Sequence, residues 1–166
     1  MPAVRDASAQ DASAIAAIYN TYVLESTATF EVDAVDEREM ARRIEAVRDA
    51  GLPWLLAQDG DAVLGYAYAS PWKPRAAYAR SVETSIYLAQ AARGAGLGAA
   101  LYAALLDRLR ARDLHVAIGG VALPNPACEG LHAKFSFERV GCFREVGHKL
   151  GRWVDVAYWQ LRFEGH

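Results

Sequence analysis

Glu83-Thr84-Ser85-Ile86-Tyr87-Leu88 runs, ten residues after its first, into Arg93-Gly94-Ala95-Gly96-Leu97-Gly98. An extended apolar run feeds a loop with glycines at alternate positions, and a helix-forming stretch begins at once. Glycine reaches backbone conformations and close approaches that a Cβ forbids. A glycine loop that opens a helix turns unpaired N–H groups outward at the positive end of the helix dipole. That arrangement suits a phosphate-bearing ligand.

Working outward, the pattern predicts a strand over 82–88 before the loop and a helix over 99–112 after it, with Leu101, Leu105 and Leu109 in register. Upstream, a short strand is expected at 4–7. A helix follows over 11–25 on the spacing of Ile15, Ile18, Tyr19, Tyr22 and Val23, and a second over 36–50 on Met40, Ile44 and Val47. Runs 54–57 and 63–69 flank Asp59-Gly60-Asp61 and read as a hairpin. Pro71-Trp72-Lys73-Pro74-Arg75 reads as loop, because proline cannot continue a central strand. Downstream come a strand at 116–123, a helix opened by Pro126 and running to 135, and two strands, 138–147 and 152–163, joined at Lys149-Leu150-Gly151. The expected fold is a single α/β domain over 1–166, with a mixed, mostly antiparallel sheet flanked by helices.

A formal charge of −2 with no block of Lys or Arg argues against nucleic-acid binding. No apolar run approaches the ~20 residues that span a membrane, and the first residues lack a signal-peptide core. Two cysteines, Cys128 and Cys142, rule out a disulfide scaffold. The expectation is a cytoplasmic protein, with Cys142 a small buried residue. Cys128 and His132 lie one helical turn apart, but no further Cys/His pair completes a tetrahedral metal site, so no metal is expected.

The loop fits three phosphate ligands unequally. A P-loop needs Lys followed by Ser or Thr after the last glycine, and here Ala99-Ala100 follows Gly98. A dinucleotide fold places such a loop after the first strand of a parallel series, whereas a hairpin and two helices precede this one. The third fit is a resemblance. Arg93–Gly98 resembles the acyl-CoA pyrophosphate loop of the GNAT N-acetyltransferase superfamily, Arg/Gln-x-x-Gly-x-Gly/Ala, and Asn125 with Leu131-His132-Ala133-Lys134-Phe135-Ser136-Phe137 resembles its second CoA segment. Tyr68–Tyr78, Val82–Leu88, Leu123-Pro124-Asn125, Gly147–Asp155 and the early Thr29-Phe30 are similar to the phosphinothricin and methionine-sulfoximine acetyltransferases. Ser136 departs from the family's usual glycine, which puts the turn after the helix, and the placement of His132, in question.

The resemblance implies acetyl-CoA as cosubstrate, held by Arg93, Gly94, Ala95, Gly96, Leu97, Gly98 and Ala99, by the main chain of Ile86, Tyr87 and Leu88, and by Asn125. It also implies a small amino-acid acceptor, contacted by Phe30, Lys73, Pro74, Arg75, Tyr78, Glu83, Thr84 and Ser85, and a homodimer whose partner closes the site. Arg75 can give an anionic head group two parallel N–H bonds.

Strand alternation puts Glu83, Ser85 and Tyr87 on one face and Val82, Thr84, Ile86 and Leu88 on the other. Glu83 is either the general base, acting directly or through water, or a salt-bridged strand carboxylate. His132 is either an acid or proton relay, or a packing residue of its helix. The remaining functional alternatives are acetylation of another small amine or of a protein N-terminus, and a CoA-binding sensor without turnover.

Overall fold

Asp36 accepts the N–H of Glu39 through its side chain, so the second helix, α2, begins at Glu37 and runs to Asp49. It packs Met40, Ile44 and Val47 against α1 (Ala12–Glu25), and both cover one face of a seven-stranded sheet. The computed structural model describes residues 2–164. The strands are β1 (Ala3–Asp6), β2 (Trp54–Asp59), β3 (Ala62–Pro71), β4 (Ser81–Leu88), β5 (Val116–Ala122), β6 (Glu138–Lys149) and β7 (Arg152–Arg162). They lie in the order β1-β2-β3-β4-β5-β7-β6. Among the pairs only β4 with β5 is parallel, and the intervening crossover carries α3 (Leu97–Arg110). The sheet is mixed and mostly antiparallel, flanked by helices as the sequence predicts.

Two apolar clusters sandwich it. One joins α1 and α2 to Trp54, Leu56 and Tyr66; the other joins α3 to Leu55, Ala67, Ala69, Val82 and Ala117. The alternation of neighbouring β2 and β3 residues between the clusters is the period-two pattern of strands buried on both faces.

Three details depart from the expectations. Pro71 is the last residue of β3, opposite Val82 in β4, rather than loop. A strand end tolerates the missing N–H. α3 starts two residues early, because Gly96 takes φ +79° as its N-cap and the helix begins at once. Cys142 is exposed, not buried. It sits on β6, the sheet's edge, where no helical layer covers Val140, Phe143 or Val146 either.

Candidate acyl-transfer site

β4 and β5 pair from Ser81↔Val116 to Glu83↔Ile118 and no further. Both strands continue, β4 held on its far side by β3 up to Leu88 and β5 held by β7 up to Ala122. The sheet therefore splits, and main-chain groups of each strand face the gap. A cavity of about 520 Å³ occupies it, lined by Thr84 to Leu88 on one wall and Gly120, Val121 and Ala122 on the other. Its further lining comes from Arg93, Gly94 and Gly98 at the glycine loop, and from Asn125, Cys128, Leu131 and His132 with α4 (Pro126–Lys134).

The glycine loop is shaped for a ligand's close approach. Gly94 and Gly96 have φ of +82° and +79°, and a Cβ on either would meet nothing within 4 Å. These glycines are required by backbone conformation, then, not by neighbours. No side chain caps α3, so the N–H groups of its first turn are left for a ligand. Ala95, Gly96, Leu97 and Ala99 are not on the cavity wall, and the Leu97 side chain is buried in the α3 cluster. Arg93 lies with its guanidinium 5.0 Å from the centre of the Tyr22 ring, and the Tyr22 hydroxyl donates to the carbonyl of Leu88. Tyr22 thus ties the end of α1 to the mouth of the split. An exposed arginine, open N–H groups and a strand with a free edge together fit a pyrophosphate followed by an amide-bearing arm.

Glu83 sits at the apex, in the last residue pair before the strands part. Its carboxyl is pushed above the usual carboxylate range, with burial as the only cause. No ion pair or side-chain hydrogen bond engages it among the described residues, so the salt-bridged alternative finds no partner there. Burial raises the hydroxyls of Tyr68 and Tyr158, and the nearby charge of Glu83 adds to both. Ser85 and Tyr87 share its face, and Tyr87 packs edge-on to Tyr19.

Thr84 points the other way, as alternation requires. Its hydroxyl lies 2.6 Å from that of Tyr102 in α3, and Tyr102 lies 3.2 Å from Nε2 of His132. His132 is 3% exposed, and its Nδ1 is 2.7 Å from the carbonyl of Cys128. Burial lowers the imidazole's pKa, against an opposing effect from the Cys128 bond. Asn125 caps α4 by accepting the N–H of Cys128, while also reaching the cavity wall. At the other end of α4, Phe137 N–H reaches the carbonyl of His132 and Ser136 N–H that of Ala133, a Schellman turn. Ser136 takes φ +67°, the left-handed conformation glycine favours, so the turn forms despite the departure and His132 is held within it.

The remaining acceptor-side residues lie apart from the cavity. Lys73, Pro74, Arg75 and Tyr78 are all exposed. Phe30, 42% exposed, lays its ring over Gly147, where a Cβ would come within 2.4 Å. Its loop is fastened by Lys149, 5% exposed, whose ammonium donates to the carbonyls of Thr29 (2.7 Å) and Tyr22 (3.3 Å). Sequence reasoning missed Tyr102, Tyr22, Gly119 and Lys149. Only Tyr102 left a signal, a hydroxyl among the leucines of α3.

Comparison with known proteins agrees with this geometry. The family model for the acetyltransferase (GNAT) domain matches residues 4–158. A phosphinothricin N-acetyltransferase of Streptomyces coelicolor is 41% identical over 171 residues, covering 95% of this chain and 94% of that protein. An L-methionine sulfoximine/L-methionine sulfone acetyltransferase of Pseudomonas paraeruginosa is 38% identical over 162 residues, covering 97% of this chain and 94% of its own. The crystal structure of a phosphinothricin acetyltransferase from Sinorhizobium meliloti in complex with acetyl-CoA superposes with a TM-score of 0.95 at 39% identity, over 98% of this chain and 88% of that one. The chain belongs to the GNAT acetyltransferase family, and is an acetyl-CoA-dependent N-acetyltransferase.

Proposed function

We propose that this enzyme acetylates the α-amino group of a small amino acid of the phosphinothricin, methionine sulfoximine or methionine sulfone type. The observation that carries the reading is the unpaired, half-buried carboxylate of Glu83 at the apex of the strand split. A free amine attacks a thioester only after its ammonium has lost a proton. Glu83 takes that proton, directly or through a water, and its raised pKa makes it a better base than an exposed carboxylate. Acetyl-CoA, when bound, supplies the activated acyl group. Arg93 and the N–H groups from Gly94 to Ala99 hold its pyrophosphate, the main chain of Ile86, Tyr87 and Leu88 pairs with its pantetheine arm, and Asn125 contacts it from β5's far end. His132 serves the proton traffic of the transfer.

Acceptor choice falls to Phe30, Ser85, Thr84 and the exposed segment Lys73-Pro74-Arg75 with Tyr78. Arg75 offers the cationic fork that an anionic head group needs. These exposed side chains meet the acceptor within a homodimer. The uncovered apolar residues Phe143, Val146 and Trp153 (65% exposed) of the β6–β7 edge support a second copy there. One domain spans the chain. Among the described residues no helix is long and apolar enough to cross a membrane. A reducing cytoplasm suits the two free cysteines.

The test is a panel of amines offered with acetyl-CoA to the purified protein, read by free-thiol release. Turnover of methionine sulfoximine or phosphinothricin is expected. Turnover of another amine while both of these stay inert would overturn the substrate class. Silence with every amine of the panel would overturn it as well.

A further inference from the structure

We propose that Thr84, Tyr102 and His132 form a proton wire from the apex of the strand split to a buried imidazole, with Tyr102 as its positioning link. The proposal deepens the reading above and rests on it.

The first support is placement. Pairing of β4 with β5 stops at Glu83↔Ile118, so Thr84 and Gly119 are the first residues past the fork. The imidazole lies against Gly119 so closely that a Cβ there would come within 2.2 Å of Nε2. Tyr102, from α3, bridges from this ring back to Thr84 on β4. The three polar groups therefore cross the floor of the fork from one strand to the other.

The second support is isolation. Tyr102 is wholly buried among Leu101, Leu105 and Phe137, an apolar setting in which an unbonded hydroxyl costs about 1–3 kcal/mol. Each member of the chain is satisfied by the next, and Thr84, Tyr102 and His132 all border the cavity.

The third support is polarity. The Cys128 carbonyl can only accept, so Nδ1 of His132 carries the ring proton and Nε2 presents a lone pair. Tyr102 then donates to Nε2, and Thr84 donates to Tyr102. Every bond points toward the imidazole, and the Thr84 oxygen keeps its lone pairs for the cavity. A proton arriving at Thr84 Oγ1 passes, by successive O–H shifts, to Nε2. The imidazolium so formed is disfavoured by burial and returns the proton along the same path. The charged and titratable groups facing the ring are Cys128 and Glu129 of α4 and Tyr102 of α3.

The balance closes over one turnover. The ammonium's first proton goes to Glu83, which releases it to water before the next turnover. As the N–C bond forms and the C–S bond breaks, nitrogen sheds a second proton and sulfur gains one. The wire takes up the first of these at Thr84 Oγ1 and gives it back from the same oxygen, ending as it began.

Tyr102→Phe tests the wire, since it keeps the packed ring and removes only the hydroxyl. In the ligand-free wild-type protein, 15N NMR should show Nδ1 of His132 protonated and Nε2 bare, and in Tyr102→Phe the Nε2 resonance should move as its donor is lost. In kinetics, kcat should fall about 10- to 100-fold with both KM values held within about twofold, and the pH–rate limb belonging to His132 should shift. Thr84→Val should repeat the loss and Thr84→Ser recover most of it, which keeps the test available if Tyr102→Phe folds poorly. A wild-type ring protonated at Nε2, or a folded Tyr102→Phe enzyme with wild-type kcat and pH profile, would overturn the wire. Failure of the underlying reading looks different: no amino acid would be acetylated by the wild type, while the NMR tautomer would still report on the wire.

Discussion

A Cβ built on Gly119 would lie 2.2 Å from Nε2 of His132, so a strand residue and a helix residue share a space that alanine cannot enter without displacing the ring. Gly96 is a glycine for another reason, φ +79° with open space around it. The first restriction is steric and the second conformational, and the two glycines respond differently to substitution.

Gly119→Ala should cost about 1–3 kcal/mol, the usual price of overpacking a filled core. The His132 ring must leave its bond to Tyr102, so kcat should fall with it. Denaturant titration measures the first effect and steady-state kinetics the second.

Glu83→Gln should lower kcat about 100-fold or more, as removal of a general base does. The wild-type acid limb should lie above the ordinary carboxylate range, because burial raises this group. Activity is lost as pH falls through that raised value, and the limb should vanish in the variant. Stability runs the opposite way. A carboxylate whose folded pKa is raised binds its proton more tightly when folded, so its ionisation weakens the fold as pH rises through the window between the unfolded and folded values. Glu83→Gln should therefore be at least as stable as the wild type at neutral pH, by thermal melts across that window.

Ser136→Gly should stabilise the protein by about 0.5–1 kcal/mol, relieving the left-handed backbone at the Schellman turn against some gain in unfolded-chain entropy. Activity should stay near wild type, since the turn is already formed.

Lys149→Met should leave the Thr29 carbonyl without its buried donor, while that of Tyr22 still accepts the N–H of Ser26, and cost about 1–3 kcal/mol. Because Thr29 precedes Phe30, the KM for the amine should rise more than the KM for acetyl-CoA. Equal rises would assign Lys149 to general stability alone.

Much of this architecture is legible in local sequence. The spacing of Met40, Ile44 and Val47, the Gly60 hairpin, and the Leu150-Gly151 turn with both residues at positive φ all encode their elements within a few positions. Glu83 and the glycine loop are legible because a carboxylate in an apolar strand and alternating glycines break the surrounding pattern. The Thr84–Tyr102–His132 chain is not, since its members come from β4, α3 and α4 and meet only through tertiary packing. Lys149 is hidden for the same reason: its partners at Tyr22 and Thr29 lie more than a hundred positions earlier. The exposure of Cys142 follows from β6 standing at the sheet edge, a position that strand alternation does not reveal.

The most direct measurement incubates the purified enzyme with acetyl-CoA and methionine sulfoximine, follows thiol release, and locates the acetyl group on the product by mass spectrometry, with Glu83→Gln alongside. The account predicts acetylation at the α-nitrogen by the wild type and a loss of about 100-fold or more in kcat for the variant. Acetylation elsewhere on the molecule, or undiminished turnover by Glu83→Gln at saturating substrate, would contradict it.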